Sequence, residues 1–186
     1  MIGRQPLQYA LISVVGLLGL LLDSSAQAEH ESLPSDYPNS LERELATVQS
    51  QIASEGVQPD RLVAGAELYL NIADDLFDDE TRKRLAYEAA AEMAKRALQA
   101  DEHSAHGHFL YAAALGSAER LKGLANAGLV LSVIKQHVRR AIDLNPNHAQ
   151  ALQMMGGLYA ELPWLLGGDE TEAEIYLRRA IKADER

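Results

Sequence analysis

The sequence contains no cysteine. Disulfides, a thiol nucleophile and anchoring through an acylated cysteine are all excluded by that one absence. Aromatic residues are scarce, at 5% with a single tryptophan, although hydrophobic residues together reach 47% and alanine is abundant. Helices that cross closely on small side chains leave this composition. Positive charge is in short supply too, since 17 basic against 27 acidic side chains give a formal charge of −10. Unaided binding to nucleic acid or anionic lipid is disfavoured, and a neutral, cationic or protein partner fits better. No G-x-S-x-G elbow, H-E-x-x-H pair or phosphate-cradling glycine loop occurs. The chain therefore reads as a non-enzyme with no catalytic residue, no cofactor and no resident metal.

There is one long apolar run, Ala10 to Leu22, with Arg4 before it and small residues at Ala26 and Ala28 after it. That order predicts a signal peptide over residues 1–28, cleaved after Ala28, with export to a bacterial periplasm and no stable membrane insertion of what remains. A retained anchor is the alternative, because the run approaches the length that spans a bilayer. Residues 29–39, with Pro34 and Pro38, read as a flexible leader, and residues 40–186 as one helical domain.

From residue 40 onward the periodicity is helical. Leu41, Leu45, Val48 and Ile52 recur at four, three and four, which lines one side of a helix ending near Gly56. A second helix is predicted from about Asp60 to Phe77, a third from Asp79 to Ala100 and a fourth from Ser104 to Leu121. Gly123 and Gly128 precede a fifth, over 128–144. A sixth is expected with Asn145 as its cap and Pro146 as its first residue, ending at Pro163. The last opens at Asp169, with Glu172 placed for a reciprocal capping box.

Three near-identical octets close alternate helices: "AKRALQAD" at 94–101, "VRRAIDLN" at 138–145 and "LRRAIKAD" at 177–184. Aligning Ala97, Ala141 and Ala180 gives spacings of 44 and 39, and a basic pair precedes each alanine. A repeated helix–turn–helix unit follows, with the alanine at a close crossing and the basic pair in water near the helix C-terminus. Leu152, Met155, Gly156 and Tyr159, followed by Ala173, Leu177 and Ala180, resemble the tetratricopeptide-repeat (TPR) pattern, and Pro146 stands where that family closes a unit. The resemblance implies an all-α, right-handed α-solenoid of TPR-like helix-turn-helix units with long loops inside each repeat. "LPWLLGGDETEAEIYLRRAI" is also similar to the periplasmic T-component of TRAP-type tripartite transporters, although such proteins usually carry the lipid-bearing cysteine that is missing here.

By the TPR register, His106, Phe109 and Ala113 of one unit and Gln150, Gln153, Gly157 and Glu161 of the next would face a concave groove. A protein or peptide partner in the cell envelope is the implied ligand. The T-component likeness implies instead an accessory subunit that binds a solute-binding protein or small ligand, and it allows a homo-oligomer. Trp164, with Leu165 and Leu166 beside it, would be costly to expose. The three either fold back over the open end of the stack or form a protein-contact patch. His103, His106 and His108 are close in sequence, but a helix brings only two of them together, so they read as surface and groove histidines rather than a metal centre. The acidic stretch Asp74 to Glu80 lacks the pattern of a calcium loop and reads as capping and solvation.

Overall fold

The computed structural model describes residues 36–184, apart from the side chain of Leu124. They form seven α-helices and, among the described residues, no strand. These are α1 (Ser40–Glu55), α2 (Pro59–Asn71), α3 (Glu80–Ala100), α4 (Ala105–Lys122), α5 (Leu124–Leu144), α6 (Ala149–Glu161) and α7 (Glu170–Asp184). Each helix packs against the next in chain order, and α2 also meets α4. None of the described helices is long and apolar enough to cross a membrane. The expected leader peptide and most of the leader lie outside the described residues.

Local chemistry sets the boundaries. Gly56 ends α1 at φ 86°, a backbone state that favours glycine, and Pro59 starts α2 where a missing N–H costs nothing. A π-helical turn, Ile72–Leu76, finishes α2. Asp79 caps α3 by accepting from the Arg82 N–H at 2.8 Å, and Ser104 caps α4 from the Gly107 N–H at 3.1 Å. Gly123, at φ 127°, separates α4 from α5. Gly128 does not break the chain as expected but lies inside α5, with open space beside its Cα.

The start of α6 also differs from expectation. Asn145 is the C-cap of α5, and its side chain accepts from the Asn147 N–H at 3.1 Å. Pro146 stays in the turn, and His148 caps α6 by accepting the Ala151 N–H on Nδ1 at 3.2 Å. A side chain three residues further on outcompeted the Asn–Pro signal because its ring is held in place by α4. At α7, Asp169 accepts from the Thr171 and Glu172 N–H groups at 2.9 and 3.1 Å.

The core is built largely of alanine. Ala66, Ala90, Ala94, Leu110 and Ala114 join α2, α3 and α4. Ala112, Val138, Ala141, Leu152, Met155 and Ala180 join α4, α5, α6 and α7. Phe109 packs against both groups. The octet alanines are all interior, with Ala97 and Ala141 at 0% exposure and Ala180 at 7%. Their basic pairs are exposed. A methyl group at the crossing lets two backbones approach closely, and a larger side chain would force them apart.

Candidate functional site

One helix carries most of the features that neither packing nor capping explains. On α6, Gln150, Gln153, Gly157 and Glu161 recur at three, four and four, so they share one strip. Gln150 and Gln153 are exposed, and nothing lies within reach of a Cβ at Gly157. Glu161 is half-buried, its Oε2 has no hydrogen-bond partner, and burial pushes its carboxyl above the usual carboxylate range. The strip ends at Pro163, where Trp164–Leu166 form a 3₁₀ turn.

That turn is an apolar ridge in water: Trp164 is 79% exposed, Leu165 73% and Leu166 55%. It does not fold back over the end of the stack. The backbone beneath it is nevertheless fixed. The Gly168 N–H donates to the Pro163 carbonyl at 3.1 Å, the Asp169 N–H to the Tyr159 carbonyl at 2.9 Å, and Lys135 Nζ on α5 to the Leu166 carbonyl at 3.0 Å. Gly167 adopts a left-handed conformation at φ 84°.

At the other end of α6, histidines form two cross-helix pairs. His148 Nδ1 accepts the α6 cap bond, so in the neutral ring the proton sits on Nε2, which lies 3.1 Å from His106 Nδ1. His106 then carries its own proton on Nε2, 3.5 Å from the Glu67 carboxylate on α2. The result is an ordered line of donors from the α6 backbone through His148 and His106 to Glu67, with Phe109 stacked on the His106 ring and tilted against that of His148. The hydrogen bond from His106 holds the Glu67 carboxyl below its ordinary range. Glu67 also lines an open groove of about 570 Å³ between α1 and α2, with Leu41, Val48 and Asn71.

The second pair joins α4 to α5. His108 Nε2 donates to the Glu102 carbonyl at 3.0 Å, which leaves Nδ1 to accept from His137 Nδ1 at 2.8 Å. Burial lowers the affinity of His108, His137 and His148 for a proton. In all three, loss of water is the largest cause; the neighbouring histidine adds to it at His137 and His148, and the Glu102 carbonyl opposes it at His108.

The residues expected to face a groove are thus split. His106, Phe109 and Ala113 are half-buried: His106 joins the relay, Phe109 bridges the two cores and Ala113 packs against the first. Gln150, Gln153, Gly157, Glu161 and Trp164 form the α6 strip and its ridge. His103 is exposed and lies near Asp101 and Glu102, at 3.8 and 4.0 Å. Among the described residues, no group of three or more histidine, aspartate and glutamate side chains is placed to hold a metal. Sequence reasoning missed Glu67, His137 and His148, whose partners lie 29 to 42 residues away. The available signal was His148 following Asn-Pro-Asn at a helix start, a position where a side-chain acceptor is wanted.

A model of the family described as Regulator of microtubule dynamics protein 1-3 matches residues 31–165. The "Regulator of microtubule dynamics protein 1" of Bos taurus is 38% identical over 89 residues, which is 46% of this chain and 28% of the bovine protein. The Homo sapiens protein of that name matches to the same extent, and the Mus musculus one is 37% identical over 89 residues, 29% of its length. The chain therefore matches less than a third of the length of these relatives.

These matches overturn several expectations. The TPR and TRAP T-component resemblances give way to a different family, and with them go the periplasmic scaffold, the transporter subunit and the cell-envelope partner. A periplasmic location reached by a cleaved signal peptide has no support, because the relatives are mammalian regulators. The physical reason is plain in both cases. An alanine after a basic pair is what any closely crossed helix needs near its C-terminus, and an apolar run before small residues describes hydropathy rather than a compartment. The family match extends over well more than half of the sequence, and the chain belongs to the regulator of microtubule dynamics protein 1-3 family.

Proposed function

We propose that this chain is a non-catalytic protein-interaction module that acts on microtubule dynamics by gripping a protein partner of the microtubule system. The Trp164–Leu166 ridge is the anchor and the Gln150–Glu161 strip of α6 is the flank. The observation that carries the reading is a trio of large apolar side chains exposed on a braced turn. Apolar area held rigidly in water is costly to a lone protein and useful at an interface, where tryptophan often dominates the energetics. Membership of the family and the name of its relatives support a partner in that system. In this reading the helix pairs α2–α3, α4–α5 and α6–α7 stack as a right-handed α-solenoid, which turns one side of α6 outward.

The test is microtubule growth from purified tubulin, followed by microscopy with and without the chain and with a Trp164→Ala/Leu165→Ala variant. The chain should change growth or catastrophe frequency at micromolar concentration, and the variant should lose at least four-fifths of that effect with an unchanged helical circular-dichroism signal. No effect of the native chain, or an equal effect of the variant, overturns the proposal.

A further inference from the structure

Between Arg140 and Arg178 the sequence has no lysine or arginine, while Asp143, Glu161, Asp169, Glu170, Glu172 and Glu174 are acidic. The Trp164–Leu166 ridge stands inside that stretch. Most of these carboxylates have a use within the fold. Asp143 belongs to α5, Asp169 caps α7, and Glu174 pairs with Arg178. Glu170 and Glu172 sit in the first turn of α7, where the positive end of the helix dipole favours them. The cation held at the ridge, Lys135, donates to the Leu166 carbonyl. Glu161 has no such use. It is the last residue of α6, where the negative end of the dipole disfavours a carboxylate. It is half-buried, and its Oε2 is shut off from water without a hydrogen-bond partner. Burial pushes its carboxyl up, and no neighbouring cation offsets the shift. A carboxyl under these disadvantages destabilises the free chain, and glutamine would serve the fold at least as well.

Trp164 follows three residues later, so at most about 11 Å of chain separates the two. We infer that Glu161 is the specificity determinant of the ridge, and that the partner's contact segment sets an arginine, flanked by apolar side chains, against it. A guanidinium offers paired N–H donors to both carboxylate oxygens and stacks flat on an indole, so Glu161 and Trp164 can take the same side chain. Because Glu161 is half-buried rather than enclosed, a rotation of its side chain presents both oxygens. Leu165 and Leu166 take the apolar neighbours of the arginine. An acidic or purely apolar segment would leave the Glu161 carboxylate covered and unpaired, which disfavours it. The inference rests on the proposed reading of the ridge as an interface, and it adds the chemistry of what the ridge binds.

The probe is a fluorescein-labelled amphipathic peptide of leucine, alanine and arginine, with a copy in which citrulline, a neutral isostere, replaces arginine. Binding to the whole chain is followed by anisotropy. The arginine peptide should bind saturably and at least tenfold more tightly than the citrulline peptide. Glu161→Gln should bring the two peptides to within twofold of each other, whereas Glu170→Gln should leave the preference unchanged. The ridge variant Trp164→Ala/Leu165→Ala should bind neither. In urea, Glu161→Gln should unfold at a midpoint no lower than that of the native chain, because the fold gains nothing from the charge. Equal binding of both peptides by the native chain, a preference that survives Glu161→Gln, a lowered midpoint, or no binding at all each overturns the inference. A dimer in light scattering that the ridge variant converts to monomer would seat a second copy of this chain on the ridge, and would also overturn it. A ridge-dependent effect on microtubule growth together with equal binding of the two peptides would leave the proposed function standing and remove this inference alone. An arginine preference that depends on Glu161, with no effect on microtubule growth, would do the reverse.

Discussion

Mild acid should loosen this fold through its buried histidines, well above the range where carboxylates titrate. His108 and His148 are nearly inaccessible, at 9% and 8% exposure, and His137 is half-buried. Burial lowers the proton affinity of all three below the ordinary histidine value of about 6.5. A histidine depressed in the folded state binds its proton more readily when unfolded. Its stabilising contribution is therefore complete above the unfolded value and drains away as pH falls toward the folded one. Each such ring can cost at most about 1.4 kcal/mol between pH 7.5 and 5.5, the limit in which the folded form takes up no proton, so three set a ceiling of about 4 kcal/mol. Glu67, held low by His106, acts in the same direction but only at lower pH, where carboxylates begin to protonate. Urea unfolding at pH 7.5, 6.5 and 5.5 should show a falling midpoint. His148→Asn isolates one ring, since asparagine is a strong N-cap and does not titrate. The variant should lose about 1 kcal/mol less than the native chain across that interval. A midpoint that stays flat, or equal pH dependence in the two proteins, would refute the assignment of His148 as a neutral cap.

Gly168→Ala should destabilise the chain by more than about 2 kcal/mol, because its Cβ would stand 1.7 Å from the Leu162 carbonyl oxygen and the backbone must give way. Thermal unfolding reads the loss, and the sole tryptophan should report a disturbed ridge by fluorescence anisotropy. Ala141→Leu places three extra carbons at a fully buried crossing beside Leu152 and Met155, and should cost at least about 2 kcal/mol in urea unfolding. Asp169→Ala removes the acceptor for two N–H groups at the start of α7 and should lower stability by about 1 kcal/mol, visible as faster amide exchange in that helix.

Much of the fold was legible because its causes are local. The four-three-four spacing of Leu41, Leu45, Val48 and Ile52 fits a helix, and Leu41 and Leu45 face the core. Ala97, Ala141 and Ala180 could be placed at crossings from spelling alone, because only a small side chain tolerates that approach. The misplaced starts of α5 and α6 show where local rules give out. Gly128 costs a helix only about 1 kcal/mol relative to alanine, and the packing of α5 overrides it. Asn145–Pro146 is a sound start signal that lost to His148, whose ring is fixed by a residue 42 positions earlier.

The site was harder to read because its chemistry depends on partners. His106 and His108 are two residues apart, and the helix sends them to different neighbours, one toward α6 and one toward α5. Neither pairing follows from spacing, since each needs the crossing of two helices first. Trp164 shows the opposite difficulty. Its sequence context admits either a buried cap or an exposed patch, and the choice rests on Gly167 and Gly168, which turn the chain outward while Lys135 holds it. A ridge so braced loses little conformational entropy when a partner covers it, and apolar surface that is already ordered binds more tightly than the same residues on a loose loop. Bracing therefore separates the two ways of breaking the site. Lys135→Ala should leave the apolar area in place yet weaken partner capture, whereas Trp164→Ala removes the area itself.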